Sequence, residues 1–381
     1  MVTQVQNFQV SLVTTDAQKE MFLDVPFKVY KNYPNWVPPI RSSIAKQLAV
    51  NENPFLEYGE FQQFIAISQK NSEPLGRIVA VINRRLIESE GKNVGLFGYF
   101  ECVEDFEVAR SLLETASDWL RDKGMNFVRG PINLSTHNSC LFLVDKFEEP
   151  PMMMTPYNPP YYPEFMEKAG YYKGNDAYAY DFPLDIALEP KFEKGYKIAC
   201  KSGINFRPLH TKGEGFEKDC RSLYELFNNA FANNYSATPR AEEEFMDEAK
   251  ELQSLVDPDV FPIAEDNGKM IGCWMGLPDY NIALKHVNGK LNFLGILKFL
   301  WYRRQIDKGR VIVIASLPEY RRKMVPLGLI YLGMQGGIKK GKPYKRAELS
   351  FVWEDNSPSR KLVEAAGGKI YKTYRIYEKA L

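Results

Sequence analysis

The amino-acid sequence predicts an α/β fold made of two copies of one unit, each a mixed twisted sheet flanked by helices. One observation is a succession of strand, helix, strand, helix and strand patterns that recurs about 200 residues later in the chain. A second is that the last short helix of each copy ends at a glycine, Gly170 or Gly367, and is followed by a tyrosine-rich strand. The 381 residues are enough for two domains. We therefore predict domains over 1–185 and 186–381.

The first copy follows from alternating and helical apolar patterns in chain order. A hairpin pattern opens it, because two apolar runs flank a polar turn. The helix after the third strand carries apolar residues at spacings of three and four and ends before Gly124. The predicted elements are strands 61–68, 74–83 and 94–103, helix 106–123, strand 127–132, helix 161–169 and strand 171–182.

The second copy repeats this order with one insertion. Its hairpin turns at Asn267-Gly268, a pair that favours tight turns. The predicted elements are strands 260–264, 270–277 and 311–317, helix 327–338, strand 346–352, helix 358–366 and strand 369–378. The insertion, 279–309, contains an apolar stretch over 291–301 that is far shorter than the ~20 residues needed to span a bilayer. This stretch is interpreted as a helix packed over the domain, with an acyl-chain pocket or a membrane-touching surface as alternatives.

Composition excludes several classes of function. Lysine and arginine number 49 against 48 aspartates and glutamates, so a broad nucleic-acid-binding face is not expected. The five cysteines and three histidines show no metal-binding spacing, and we expect no metal. The N-terminal residues do not read as a signal peptide. We therefore expect a cytoplasmic protein without a membrane or nucleic-acid partner; the sequence does not indicate an oligomeric state.

Three basic residues precede the helix of the second copy. Arg321, Arg322 and Lys323 lie where the helix dipole disfavours positive charge. A helix start exposes unpaired backbone N–H groups, and a diphosphate can accept them. The segment is thus a candidate phosphate-binding site, although a solvated basic turn is the alternative. The matching segment of the first copy, 101–107, is acidic and should repel a diphosphate.

These segments carry a family resemblance. The strand ending at Leu317, the basic segment 318–323 and the helix after it resemble the acyl-CoA-binding segment of the GNAT superfamily of N-acyltransferases. Residues 354–358, with the helix and glycines that follow, resemble the next GNAT element. The blocks GPINLSTHNSCLFLVDKF and KTYRIYEK resemble a bacterial group of tandem GNAT proteins described as acetyltransferases. The resemblance implies two tandem GNAT-like domains, the first degenerate, and acetyl-CoA or another acyl-CoA as cosubstrate.

The resemblance also implies site residues. The residues expected to bind the acyl-CoA are Ala315, Ser316, Leu317, Arg321, Arg322, Lys323, Leu327, Gly328 and Asn356. A backbone N–H of 315–317 would polarise the thioester carbonyl. The candidates for proton transfer are Glu348, Glu354, Asp355 and Tyr371. The candidates for binding the acceptor are His137, Asn138, Tyr157 and Asn158 in the first copy.

The second copy departs from the family pattern at three positions. Met324 and Pro326 occupy loop positions where the family has small residues, and Val363 stands where a tyrosine is common. The expected function is transfer of an acyl group to the amine of a small molecule or peptide, and the acyl group expected is acetyl. One alternative is a scaffold that binds acyl-CoA or a protein without turnover. The other is a long-chain acyl or aminoacyl transferase.

Overall fold

The structure is a computed structural model that describes residues 7–50, 53–185, 187–232, 234–339, 341–342 and 344–381. Contacts within the chain divide it into two units. Unit 1 comprises Met1–Asp176, Leu284–Phe299 and Thr373–Leu381, and unit 2 comprises Ala177–Ala283 and Leu300–Lys372. The expected tandem-domain boundary between residues 185 and 186 stays a prediction.

The first half of the chain contains the hairpin, helices and strands that the patterns predict, together with several short elements. They are β1 (Phe8–Leu12), α1 (Asp16–Val29), α2 (Arg41–Gln47), β2 (Gly59–Ser68), β3 (Pro74–Asn83), α3 (Arg84–Glu90), β4 (Val94–Cys102), α4 (Phe106–Asp122), β5 (Phe127–Gly130), β6 (Phe142–Leu143), α5 (Tyr161–Lys168) and β7 (Tyr172–Pro183). Short 3-10 turns cover Tyr30–Asn32 and Pro54–Glu57.

The second half repeats that order around a helical insertion. Its elements are α6 (Pro190–Lys201), β8 (Asn205–Pro208), α7 (Gly213–Ala230), α8 (Glu242–Leu252), β9 (Pro262–Asp266), β10 (Lys269–Pro278), α9 (Asn281–Val287), α10 (Phe293–Tyr302), β11 (Lys308–Ser316), α11 (Val325–Ile338), β12 (Arg346–Trp353), α12 (Ser357–Ala365) and β13 (Lys369–Ala380). Short 3-10 turns cover Gln253–Leu255, Pro258–Val260, Arg303–Gln305 and Pro318–Tyr320.

Unit 1 contains a mixed sheet in the order β1, β2, β3, β4, β5 and the last part of β13. The strands from β1 to β4 pair antiparallel, whereas β4 and β5 pair in parallel. The end of β13 completes this sheet, since Tyr377 to Ala380 pair antiparallel with β5. Its core packs α4 and α5 against the strands, with Leu112, Leu120 and Tyr162 buried completely or nearly so.

Unit 2 repeats this plan. Its strands lie in the order β7, of which only the last part belongs to this unit, then β12, β11, β10, β9 and β8. Here β11 and β12 are the parallel pair, and the other neighbours are antiparallel. Helices α6 and α11 cover one core and α7 lies over another. The predicted fold class, mixed sheets flanked by helices, is confirmed.

The differences from the predicted elements have local causes. The strand predicted over 127–132 ends at Gly130, because Pro131 has no N–H to give to a neighbouring strand. The elements before each hairpin were not predicted. Helix α1 is one of them, although Thr15 and Gln18 form a capping box at its start. Pro26 inside α1 interrupts the helical pattern of the sequence there. Across the described residues, no helix is both long and apolar enough to cross a membrane.

Candidate active site

The two parallel strands of unit 2 separate partway along their length. Pairs run from Lys308↔Arg346 to Val311↔Leu349, although both strands continue beyond them. The register of β11 against β10 shifts at this point, so that Ile312 is an extra residue between the pairs of Val311 and Val313. A β-bulge bends a strand and increases its twist. The bulge therefore accounts for the opening between β11 and β12.

Backbone groups of β11 are directed into this opening. The Leu317 N–H donates to the Ile271 carbonyl oxygen at 2.9 Å, so the Leu317 amide belongs to the pairing with β10. Hydrogen-bonding direction alternates along an antiparallel strand. The N–H of Ala315 therefore also faces β10, and those of Ile314 and Ser316 face β12. Of the three residues expected to bind the thioester, Ser316 is the one whose amide faces the opening.

Helix α11 begins beside the end of β11 without a side-chain cap. Its N-cap is Met324, which adopts a left-handed conformation at φ 64°, and Pro326 lies in the first turn. Because proline has no N–H, the first turn offers the amides of Val325 and Leu327. Arg321 and Arg322 are exposed just before the helix. Lys323 is exposed as well, and its Nζ lies 3.5 Å from Asp266.

The side chains at the start of α11 pack into the unit. A Cβ on Gly195 of α6 would lie 2.7 Å from the Cβ of Leu327, so these two residues are in close contact. Gly328 lies against the Phe206 ring, which a Cβ would approach to 2.7 Å. Both residues are thus fixed by helix packing. The Gly328 N–H donates to the Met324 carbonyl, which leaves the Leu327 amide as the contribution this pair can make to a ligand.

A buried hydrogen-bonded cluster joins β12 to β13 in unit 2. Glu348 is 1% exposed, and the Tyr371 hydroxyl donates to its Oε2 atom. The Ser350 hydroxyl donates to the other carboxylate oxygen, Oε1, at 2.5 Å. Tyr371 itself is only partly buried. The phenol is therefore the outer member of the pair and the carboxylate the inner one.

Positive charges surround this carboxylate. The Lys372 Nζ lies 3.9 Å from Glu348 Oε2, and Lys372 is also 1% exposed. Arg310 is buried on β11 and donates to the Ser350 hydroxyl at 2.9 Å and to the Ser350 carbonyl at 2.8 Å. The Arg346 guanidinium lies 4.9 Å from the centre of the Tyr371 ring. The cluster therefore places a carboxylate behind a hydroxyl, with a buried ammonium beside it.

The other proton-transfer candidates lie elsewhere. Glu354 and Asp355 are in the turn between β12 and α12, where Asp355 is exposed. Asn356 caps α12, because its side-chain oxygen accepts the Ser359 N–H at 3.2 Å. The structure thus brings together Glu348 and Tyr371 of the predicted candidates. Val363, where the family often has tyrosine, is buried in the core.

The equivalent opening of unit 1 is closed by the chain itself. The parallel pairs end at Leu96↔Arg129, and the segment after β5 then crosses the gap. The Ile132 N–H donates to the Phe97 carbonyl at 2.8 Å, and the Asn133 side-chain oxygen accepts the Tyr99 N–H at 2.7 Å. Cys102 pairs with Gly76 as Ser316 pairs with Gly272, and its N–H already donates to the Tyr162 hydroxyl at 2.8 Å.

The helix that follows in unit 1 is also closed to an anion. Asp105 caps α4, and its carboxylate accepts the Glu107 N–H at 2.9 Å. A carboxylate at this position takes the place that a phosphate would need. Behind it, Tyr162 donates to Glu101 at 2.8 Å, and burial raises the pKa of Glu101 to about 7 although Arg77 lowers it. The Asp105 cap and the buried Glu101 thus give unit 1 a different chemistry from unit 2 at the start of this helix.

The acceptor candidates of unit 1 have local partners. Asn158 is buried, and its amide bonds to the N–H and carbonyl of Leu143 at 2.7 and 3.1 Å. The Tyr157 hydroxyl donates to the Phe147 carbonyl at 2.9 Å. His137 is exposed and Asn138 half-buried in the turn over 133–139. Asn158 and Tyr157 therefore hold the loops of unit 1, and acceptor binding by these four residues stays a prediction.

Three members of the cluster were missed by sequence reasoning. Ser350, Arg310 and Lys372 carry no motif, and the alternation of β12 could only have indicated that Glu348 and Ser350 share one face. Within the described ranges, no group of three or more His, Cys, Asp and Glu side chains converges as metal ligands would.

Comparisons with known proteins find relatives along nearly the whole chain. No model of a protein family matches it. It is 30% identical over 376 residues to the bacterial ceramide synthase of Caulobacter vibrioides, covering 97% of this chain and 96% of that protein. It is 28% identical over 365 residues to the protein YghO of Escherichia coli, covering 94% and 92%.

Solved structures show the same fold. A tandem GNAT protein from the clavulanic acid biosynthesis pathway matches with a TM-score of 0.56 and 11% identity over 98% of both chains. A GCN5-related N-acetyltransferase from Sphaerobacter thermophilus matches with a TM-score of 0.53 and 13% identity, covering 99% of this chain and 96% of that one. The fold is therefore that of the tandem GNAT proteins, and the chain belongs to the family of the bacterial ceramide synthase of Caulobacter vibrioides.

Proposed function

We propose that the protein is an acyl-CoA-dependent N-acyltransferase whose reaction takes place in unit 2. The observation that carries this proposal is the buried Glu348 carboxylate with the Tyr371 hydroxyl bonded to it, on strands next to an opened parallel pair. The family membership supports acyl transfer. The amide of Ser316, directed into the opening, supports polarisation of a thioester carbonyl.

The two side chains have complementary roles in the proposed reaction. The amine nitrogen forms a bond to the thioester carbon, the carbon–sulfur bond breaks, and the nitrogen loses a proton while the sulfur gains one. The amine passes its proton to the Tyr371 oxygen as the phenol hydrogen moves to Glu348, and the phenol then gives a proton to the departing thiolate. The hydrogen bond between them returns a proton from the carboxyl group to the phenol. Unit 1 contributes no second donor site, because its own chain closes the opening.

We propose a long-chain acyl donor and a long-chain amino alcohol as acceptor, in place of the acetyl group expected from the sequence. The name of the Caulobacter relative supports this choice, since ceramide is the N-acyl derivative of such an amine. A cytoplasmic location is proposed with it, because five free cysteines and a coenzyme A donor fit a reducing compartment.

The test is acyl transfer by the purified chain with matched donors. Palmitoyl-CoA and acetyl-CoA are compared, each with sphinganine as the amine, by release of free thiol and by mass spectrometry of the amide. We expect transfer from palmitoyl-CoA to exceed that from acetyl-CoA at equal concentration. Equal or greater transfer from acetyl-CoA contradicts the long-chain proposal, and no amide with either donor contradicts the acyltransferase proposal.

Binding without turnover is the second candidate. The start of α11 favours it, because the Met324 N–H donates to the Arg321 carbonyl at 3.3 Å and Pro326 has no N–H, so neither residue offers a donor to a diphosphate. A thermal shift with palmitoyl-CoA distinguishes the two, since a ligand at 100 times its Kd stabilises the folded protein by about 2.7 kcal/mol. A shift without thiol release in the presence of amine supports the scaffold and contradicts the enzyme.

A further inference from the structure

The helix of the insertion exposes its apolar side chains. In α10 the exposed fractions are 75% for Phe293, 65% for Leu294, 48% for Leu297 and 63% for Trp301. Ile296 and Leu300 are similarly exposed. The half-buried or buried positions are Gly295, Phe299 and Tyr302. This helix thus turns its apolar side chains outward, whereas a helix packed on a core buries them.

The exposed apolar residues form one continuous face. At 3.6 residues per turn, Ile296, Leu300, Phe293, Leu297, Trp301 and Leu294 follow one another around an arc of about 160°. The ten residues of the helix span about 15 Å. That length is half of the ~30 Å hydrocarbon core, so the helix can lie along a bilayer surface but cannot cross it.

The charged residues of the segment that contains this face are all of one sign. Between residues 281 and 306 there are five lysines and arginines and no acidic residue. Lys285, Lys290, Lys298, Arg303 and Arg304 are all exposed. The Arg304 guanidinium lies 5.6 Å from the centre of the Trp301 ring. Basic side chains beside exposed aromatic and aliphatic groups are complementary to anionic lipid headgroups above acyl chains.

The helix is held at its N-terminal end. Asn292 caps it, accepting the Gly295 N–H at 2.9 Å. The turn before it packs within unit 1, where the Gly289 carbonyl accepts the Arg41 N–H at 3.1 Å. Gly289 has a φ of 75°, and a Cβ there would lie 2.9 Å from the Pro39 carbonyl oxygen. The exposed face therefore belongs to an anchored helix.

We propose that α10 docks the protein on the surface of a bilayer that contains anionic lipid, with its apolar face inserted below the headgroups. This inference reverses the expectation that the protein has no membrane partner. It rests in part on the proposed function, because a long-chain amine acceptor and an amide product with two chains reside in a bilayer.

The test is flotation of the full chain with vesicles, in the absence of donor and acceptor. Vesicles of phosphatidylcholine are compared with vesicles that also contain about 30 mol % phosphatidylglycerol. We expect the protein to float with the anionic vesicles and more weakly with the neutral ones. Lys298→Gln should weaken binding to the anionic vesicles by roughly fivefold and leave binding to the neutral ones unchanged.

Two matched double variants distinguish the contribution of the apolar face to vesicle binding from general effects of added charge. Leu294→Glu with Leu297→Glu should weaken binding by at least about tenfold. Val50→Glu with Leu12→Glu adds the same charge at positions that are 67% and 47% exposed, and it should bind like the wild type. Circular dichroism checks that each variant is folded.

Three outcomes overturn docking: no flotation of the wild type, equal flotation of both double variants, or a wild-type dimer that the Leu294/Leu297 variant dissociates while no vesicles bind. The last result assigns the face to a second copy of the chain. A protein that floats but releases no thiol from palmitoyl-CoA contradicts the acyltransferase proposal and leaves docking intact.

Discussion

Replacing Glu348 by glutamine tests the proposed base most directly. The substitution keeps the size and planarity of the side chain and removes its charge. In the folded protein, Ser350 and Tyr371 both donate to this carboxylate, and the Lys372 ammonium lies 3.9 Å away. An amide offers one acceptor oxygen in place of two. We therefore expect Glu348→Gln to lose acyl transfer while it still binds acyl-CoA.

The expected loss follows from two separate contributions. General base catalysis provides about 10²–10⁴ in rate, which corresponds to about 3–5 kcal/mol of activation free energy. Removing one partner from a buried charge pair also lowers stability, by about 3–5 kcal/mol. Because Glu348 and Lys372 are both 1% exposed, the free energy of unfolding should fall along with kcat/KM.

The assay measures both quantities on the same preparation. Thiol release from palmitoyl-CoA with sphinganine gives kcat/KM, and urea unfolding gives the stability. Glu354→Gln is the matched control, since it makes the same change in the turn beyond β12 and should alter neither quantity by much. A folded Glu348→Gln protein with kcat/KM within about threefold of wild type refutes the role of Glu348 as base. In that case the carboxylate has only a structural role.

Three further predictions concern the donor site, a titrating group and a helix contact. Arg321→Ala with Arg322→Ala should raise the Kd for coenzyme A about tenfold by calorimetry, and an unchanged Kd shows that the diphosphate binds elsewhere. Burial raises the pKa of Glu101 from 4.5 to about 7, so its contribution to stability is complete below pH 4.5 and is lost as the pH rises through 7. Glu101→Gln should remove about 1–3 kcal/mol of this pH dependence in urea unfolding at pH 5 and pH 8, and parallel pH profiles contradict the assignment. Gly336→Ala should destabilise unit 2 by about 1–3 kcal/mol, because a Cβ would lie 1.7 Å from a backbone carbonyl oxygen, and unchanged thermal unfolding contradicts that close contact.

Much of the secondary structure follows from the sequence. The hairpin of the first copy, β2 and β3, lies within two residues of its predicted limits, because alternation and the polar turn are local signals. Helix α4 ends before Gly124 as predicted, and this glycine adopts a left-handed conformation at φ 82°. Helices α7 and α8 lie before the repeated element order and were not predicted, although turn residues such as Gly213 and Pro258 flank them.

The sequence by itself determined the repeated element order, the mixed α/β fold and the basic start of α11. These properties depend on periodicity and turn chemistry within short stretches of chain. The tertiary structure decided which strands become neighbours. It assigned the end of β13 to the sheet of unit 1, brought Tyr371 to Glu348 and left the apolar face of α10 exposed. Each of these outcomes depends on contacts between residues far apart in the chain, and an apolar residue has the same local pattern whether its helix covers a core or faces outward.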